Sequence, residues 1–107
     1  MKRGEVWWIN FDPSVGGEIK KIRPAVIVSN DLSNKHMNRL QVVPVTSQVG
    51  RCYPCESYVL LKGKPGKAMA DQLTTVSKQR FKQKMCTITA KELFSLEEAI
   101  KLQLQIN

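Results

Sequence analysis

The chain has 107 residues, with 42% hydrophobic and 24% charged side chains and a net charge of +8. This length fits one domain, residues 1–107, and the mixture is typical of a globular protein. No apolar run is long enough to span a membrane, and the N-terminal "MKRGEVWW" lacks the apolar segment of a signal peptide, so we expect a cytoplasmic protein. The basic excess favours a polyanionic partner, nucleic acid before an acidic protein, unless it serves solubility alone.

In the first half of the chain, apolar and β-branched runs predict strands at 5–11, 25–29 and 40–47. A polar loop with turn-forming Asp-Pro and Gly-Gly pairs separates the first two. The segment "NDLSNK" predicts a turn or a short helix capped by Ser29 or Asn30. Pro44 cannot donate a ladder hydrogen bond, so it predicts an edge strand or a bulge.

The second half predicts further strands at 53–61 and 67–73, separated by the turn "KGKPG". The stretch "TTVSKQRFKQK" reads as polar and irregular, with room for one helical turn, and "MCTIT" as a short strand. Thr89 and Glu92 form a capping-box pattern before a helix over about 90–105. Its apolar face consists of Leu93, Leu96, Ile100 and Leu104. The prediction is a small, mainly β (α+β) domain: a curved antiparallel sheet or small barrel with a C-terminal helix.

The cysteines allow two interpretations. Cys52 and Cys55 form "CYPC", which has the spacing of a redox motif or of half a zinc site. A redox site requires a helix after the motif, whereas the strand-like "ESYVLL" follows it here. A structural zinc site requires four ligands, and only Cys86 and His36 remain at unusual spacing. Reduced thiols at the start of a strand are therefore favoured over a metal or redox role.

Polar residues lie at the ends of the predicted strands, where rigid sheets usually carry sites. Arg23 precedes Pro24 and is therefore held extended, which suits a guanidinium that binds phosphate. Thr46 follows the apolar run "VVPV" and can reach the same place. The alternatives are a salt bridge from Arg23 to Glu18 and an ordinary strand threonine. The full candidate set is Glu18, Arg23, Thr46, Ser47, Asp71 and Gln72.

Three blocks resemble the MazF/PemK toxin family, the endoribonuclease halves of toxin–antitoxin modules. They are "RGEVWWINFDPSVGGEIKKIRPAVIVSND", "VVPVTS" and "YPCESYVLL" followed by "GKAMADQLTTVSKQR". The resemblance implies an SH3-like antiparallel barrel or curved sheet, the MazF/CcdB-like fold. It implies a homodimer that cuts single-stranded RNA at short sequences, with no metal and no cofactor. It also implies inhibition by a cognate antitoxin whose acidic C-terminal segment covers the RNA site.

The same resemblance assigns roles to individual residues. Arg23 in "RPAV" and Thr46 in "PVT" match catalytic residues, and Glu18 matches an acid that is important in part of the family. Some relatives carry a catalytic basic residue at the position of Met69 and use it together with the acid that matches Asp71. Because this chain has methionine there, that acid/base pair is not available. We expect RNA contacts from Lys20, Lys21, Asn30, Ser47, Asp71 and Gln72.

The implied reaction is attack of the ribose 2′-OH on the adjacent phosphorus, giving a 2′,3′-cyclic phosphate and a 5′-OH end. Arg23 would stabilise the phosphorane charge, Thr46 would donate a further hydrogen bond, and Glu18 is the candidate base. Trp7 and Trp8 suit core or dimer packing better than base stacking. Two rivals remain open: a gyrase-poisoning toxin of the same fold, and an RNA-binding module without nuclease activity.

Overall fold

A computed structural model describes residues 1–12, 16 and 21–107. Within these residues the chain forms an antiparallel sheet, two α-helices and two short 3-10 turns. The strands are β1 Glu5–Asn10, β2 Ile22–Ile27, β3 Arg39–Thr46, β4 Glu56–Leu61, β5 Lys64–Met69, β6 Thr74–Ser77 and β7 Phe81–Thr87. The helices are α1 Asp31–His36 and α2 Ala90–Leu104, and the 3-10 turns are Ala70–Gln72 and Lys78–Arg80.

The sheet order is β4-β5-β3-β2-β1-β7, with β6 also paired to β3. β3 pairs with β2, with β6 along residues 39–42 and with β5 at Val45 and Thr46. One long strand therefore connects two parts of the sheet, which curls into a half-barrel. The predicted curved antiparallel sheet with a C-terminal helix is confirmed.

Pro44 lies in a central strand, so the predicted edge position is wrong. It pairs with Ala25 of β2 on one side of β3. On the other side, the ladder to β6 ends at Val42 and the ladder to β5 begins at Val45. A residue without an N–H donor thus falls in the gap between two neighbouring strands, where it interrupts neither of those ladders.

Several predicted boundaries also shift. β2 begins at Ile22 rather than residue 25, and β5 ends at Met69, so that Asp71 and Gln72 lie in a 3-10 turn. The stretch predicted as irregular forms β6, a 3-10 turn and the start of β7. The predicted turn "KGKPG" shortens to Lys62 and Gly63, whose φ angles of 53° and 81° are typical of a type I′ hairpin.

Two apolar clusters fill the interior. One includes Val6, Val43, Val59 and Leu96, and brings α2 against the sheet. The other includes Ile9, Ile27, Leu40, Val42 and Phe81, with Trp7 packed against it. Val43 and Val42 follow each other on β3 and enter different clusters, as expected for a strand with a period of two.

Helix α2 begins with the predicted capping box. Thr89 accepts from the Glu92 backbone amide, and Glu92 Oε1 accepts from the Thr89 amide at 2.8 Å. Glu92 Oε2 also accepts from the Leu60 backbone amide at 2.6 Å, on the outer strand β4. Leu93, Leu96 and Ile100 join the first cluster. Leu104 was placed on this face wrongly, because its side chain is 50% exposed in the last turn. No helix in the described ranges is long and apolar enough to cross a membrane.

Candidate functional site

Arg23 and Thr46 lie on neighbouring strands and line the same cavity, of about 390 Å³. The β2–β3 register pairs Ala25 with Pro44, and continuing it by two residues places Arg23 opposite Thr46. Both side chains are half-buried. Two residues that are 23 positions apart in the sequence therefore meet because the sheet pairs the strands that carry them.

Lys21 and Ser47 line the same cavity, which we call the phosphate cavity. Lys21 has a φ of 61°, in the left-handed backbone region that residues other than glycine rarely adopt. Its backbone is held on both sides: the amide donates to Asp12 Oδ1 at 2.8 Å, and the carbonyl accepts from the Phe11 amide at 2.9 Å. These bonds fix the start of β2, and hence Arg23, relative to the end of β1.

The phosphate cavity combines cations and hydroxyls with an apolar wall. Its wall includes Trp8, Leu61, Pro65 and Met85. The cations are Lys21, Arg23 and Lys64, and the described residues that line it include no histidine, aspartate or glutamate. The Thr46 hydroxyl oxygen accepts from the Gln48 amide at 3.2 Å, so that its hydrogen can be donated to a ligand. Such a set suits a phosphodiester, because guanidinium, ammonium and hydroxyl groups all donate to phosphate oxygens.

The other predicted site residues divide into two groups. Glu18 and Lys20 lie outside the described residues, so the roles assigned to them stay predictions. Asn30, Asp71 and Gln72 are described but are not among the residues that line the phosphate cavity. Asn30 instead caps α1, where its side chain accepts from the Ser33 amide at 2.8 Å.

Two lining residues were missed from the sequence. Trp8 was assigned to core or dimer packing, yet it is half-buried in the cavity wall, whereas Trp7 contacts Phe81 edge-to-face at 5.8 Å. Lys64 looked like one more turn lysine. The signal that identifies it is the two-residue hairpin turn, which places Lys64 at the first position of β5 beside β3.

A second cavity, of about 460 Å³, lies beside the phosphate cavity and shares Thr46 with it. We call it the side cavity. Thr46 pairs with Lys67 of β5, which also lines it. The remaining lining residues are Gln48, Gly50, Arg51, Tyr53, Glu56 and Met69.

Lys67 and Glu56 form an ion pair in the side cavity, with Nζ 3.0 Å from Oε1 and side chains only 10% and 12% exposed. The hydrogen bond to Glu56 raises the pKa of Lys67 above its usual value, against the effect of burial. Burial raises the pKa of Glu56, but the Tyr53 amide and Lys67 outweigh burial and leave it below its usual value. Lys67 is thus a buried, paired lysine, whereas Lys62 and Lys64, its neighbours in the sequence, are exposed.

The "CYPC" segment forms the turn before β4. Cys52, Cys55 and Cys86 are all free thiols. Burial raises the pKa of the Cys55 thiol, which lowers its reactivity. Across residues 1–12, 16 and 21–107, no group of three or more His, Cys, Asp and Glu side chains is placed to hold a metal ion.

Comparison with known proteins agrees with this fold. Residues 2–104 match the family described as PemK-like, MazF-like toxin of type II toxin-antitoxin system. The chain is 38% identical to "Endoribonuclease MazF9" of Mycobacterium tuberculosis, over 99% of this chain and 98% of that protein.

Two solved structures share the fold. The crystal structure of MazF (Form-I) from Deinococcus radiodurans has a TM-score of 0.87 at 26% identity, covering 98% of this chain and 96% of that one. An endoribonuclease in complex with its cognate antitoxin, from Mycobacterial species, has a TM-score of 0.84 at 20% identity, covering 100% and 97%. The chain is a small antiparallel β protein with a cationic cavity at its strand ends. It belongs to the PemK-like, MazF-like toxin family of type II toxin–antitoxin systems.

Proposed function

We propose that the protein is an endoribonuclease toxin that cuts single-stranded RNA at short sequences without a metal ion. One observation carries this proposal: the phosphate cavity brings Arg23 and Thr46 together with Lys21 and Ser47. The 38% identical relative named as an endoribonuclease supports the same activity.

The reaction is an internal transfer at phosphorus. The ribose 2′-oxygen loses its proton and bonds to the adjacent phosphorus. The bond from phosphorus to the 5′-oxygen breaks, and that oxygen takes up a proton. The products are a 2′,3′-cyclic phosphate and a 5′-OH end.

Arg23 and Thr46 act on the phosphorane charge. A guanidinium remains protonated at neutral pH and offers several donors in a fixed plane, so Arg23 stabilises the equatorial oxygens. Thr46 donates its hydroxyl hydrogen to the same group. Donors that are already in place where charge develops are among the largest contributions to catalysis.

Glu18 is the proposed base for the 2′-proton. The described residues of the phosphate cavity provide no carboxylate or imidazole. An arginine is a poor proton acceptor because of its high pKa. In this proposal the base is the carboxylate of Glu18, which lies five residues before Arg23 in the sequence and matches an acid that is important in part of the family.

RNA contacts beyond the cleaved phosphate are proposed for Lys20, Lys21, Ser47, Asn30, Asp71 and Gln72. Lys21 and Ser47 have direct support, because they line the cavity that holds Arg23. Asp71 and Gln72 stand on their match to the family's "DQ" motif, and Lys20 and Asn30 remain predictions from the sequence.

The partners proposed are single-stranded RNA and a cognate antitoxin with an acidic C-terminal segment. The net charge of +8 and the three cations of the phosphate cavity suit both polyanions. We also propose a cytoplasmic homodimer, on the basis of family membership. Light scattering of the purified toxin tests the dimer, and a mass of one chain would contradict it.

The deciding experiment is cleavage of a long single-stranded RNA in EDTA by wild type, Arg23→Ala and Arg39→Ala. Arg39 is an exposed arginine at the start of β3, so Arg39→Ala loses the same charge as Arg23→Ala and serves as the control. We expect 5′-OH ends at a short recurring sequence for wild type and Arg39→Ala, and a loss of at least about 100-fold for Arg23→Ala. Uncut RNA with folded wild-type protein would contradict the proposal and favour a gyrase poison or an RNA-binding module.

A further inference from the structure

The side cavity offers a place for a nucleobase next to the cleaved phosphate. Resting on the proposed ribonuclease function, we propose that the base of a flanking nucleotide stacks there, and that Tyr53 and Arg51 determine the preferred sequence at that position. Their location, chemistry and rigidity carry the proposal.

The location follows from Thr46. This one residue lines both cavities, so a nucleotide whose phosphate lies at Arg23 and Thr46 has the side cavity within reach of a neighbouring base. Its volume of about 460 Å³ falls in the range of roughly 300–1,000 Å³ that small-molecule pockets occupy.

The chemistry is that of a stacking surface. The guanidinium carbon of Arg51 lies 5.0 Å from the centroid of the Tyr53 ring. Both residues lie in the segment between β3 and β4; the Tyr53 side chain is 50% exposed and that of Arg51 is exposed as well. Unstacked RNA bases bind to aromatic rings and to arginine planes in this way. The exposed Gln48, also in the lining, offers a donor and an acceptor to a base edge.

The surface is held rigidly from below. Lys67 Nζ donates to the Arg51 carbonyl at 2.7 Å and to Glu56 Oε1 at 3.0 Å. Glu56 Oε1 also accepts from the Tyr53 amide at 2.9 Å. The Tyr58 hydroxyl donates to the Gly50 carbonyl at 2.7 Å. The turn that carries both stacking residues is therefore set before a ligand arrives, which limits the entropy lost on binding.

The ion pair fits a positioning role better than a stabilising one. A nearly buried ion pair is weak evidence for stability, because desolvation offsets most of its attraction. Here both charged groups bond to the backbone of the turn, through the Arg51 carbonyl and the Tyr53 amide. Lys67 and Glu56 are accordingly positioning residues, and Tyr53 and Arg51 are the residues that meet the base.

The test is cleavage of a random-sequence single-stranded RNA pool, with sequencing of the cut ends. Wild type is compared with Tyr53→Ala, Arg51→Gln and the control Arg39→Gln, which loses the same charge elsewhere. We expect both side-cavity variants to lose at least about fivefold in preference at one position beside the cut, the lower end of the effect of one stacked base. Arg39→Gln should keep the wild-type preference.

A second pair of variants tests positioning. Lys67→Met should weaken the same preference, and Lys67→Arg, which keeps the charge, should restore it in part. Circular dichroism confirms that each variant is folded.

The outcomes separate the two proposals. If wild type cuts RNA and folded Tyr53→Ala and Arg51→Gln keep its preference, the side cavity does not bind a base and this inference fails. If wild type leaves RNA uncut in the same assay, the proposed function itself fails.

Discussion

The two cavities on either side of Thr46 use charge in different ways. In the phosphate cavity, Lys21, Arg23 and Lys64 face a space whose described lining contains no carboxylate. In the side cavity, Lys67 is neutralised by Glu56 and holds the backbone of a turn. All of these lysines count equally in the net charge, but among the described residues that line the two cavities, Lys67 is the lysine that is paired with a carboxylate. Position in the sheet, not composition, decides which lysine lines the cation-rich cavity and which one forms a nearly buried ion pair.

The largest expected effect concerns Thr46, which both cavities share. Thr46→Val keeps the shape but removes the hydroxyl donor, so we expect a single-turnover cleavage rate lower by about 10²–10³-fold. The base preference should not change, because the side cavity keeps Arg51 and Tyr53. Thr46→Ser keeps a hydroxyl and serves as the control. A Thr46→Val protein that cuts at the wild-type rate would remove the hydroxyl from the mechanism.

An intermediate effect concerns the ion pair of the side cavity. The pKa of Glu56 is lowered in the folded protein, so its contribution to stability is present above the unfolded pKa of about 4.3 and disappears as the pH falls through the folded pKa. The raised pKa of Lys67 places the corresponding loss above about 10.4. Glu56→Gln leaves the nearly buried Lys67 without its carboxylate partner, so it should melt several degrees below wild type at pH 7, and the difference should shrink below pH 4, where Glu56 is protonated in the wild type as well.

Thermal melts between pH 3 and pH 7 check this expectation. Glu98→Gln is the control, because Glu98 forms an exposed ion pair with Lys101 at 3.7 Å and should change the melting temperature little. A difference between wild type and Glu56→Gln that stays constant down to pH 3 would contradict the role of the carboxylate charge.

The smallest expected effect is a difference between the two cavities in how the affinity for RNA depends on salt concentration. Lys64→Gln removes a cation of the phosphate cavity. In a plot of the logarithm of the association constant for single-stranded RNA against the logarithm of salt concentration, the slope should therefore become shallower by about 0.7. Tyr53→Ala should weaken binding without changing that slope. Binding of an uncleavable 2′-O-methyl RNA at several salt concentrations measures both. Equal slopes for wild type and Lys64→Gln would show that Lys64 does not contact a phosphate.

The sequence predicted the parts of the fold that carry strong local patterns. The β-branched runs of β2 and β3 and the Thr89–Glu92 capping box are such patterns, and all three elements form. The sequence pattern of β6 and of the start of β7 was irregular because both strands are mostly exposed: Val76 is the one buried residue of β6, and Phe81 the one of β7. A strand with a single buried side chain shows no alternation that a sequence can reveal.

The candidate site was predictable to a similar extent. Arg23 and Thr46 came from the motifs "RPAV" and "PVT", and the sheet register brings them together. The side cavity was not foreseen, because Tyr53 and Lys67 meet only through the pairing of β4 and β5 and the turn before them.

Glu92 links the start of α2 to the outer edge of the sheet. Its carboxylate completes the capping box and also accepts the Leu60 amide on β4, an edge strand. Exposed strand edges invite pairing with other chains, and a negative charge bonded to the edge discourages it. Helix α2 therefore occupies an edge donor that another strand would need for pairing, as well as covering the core.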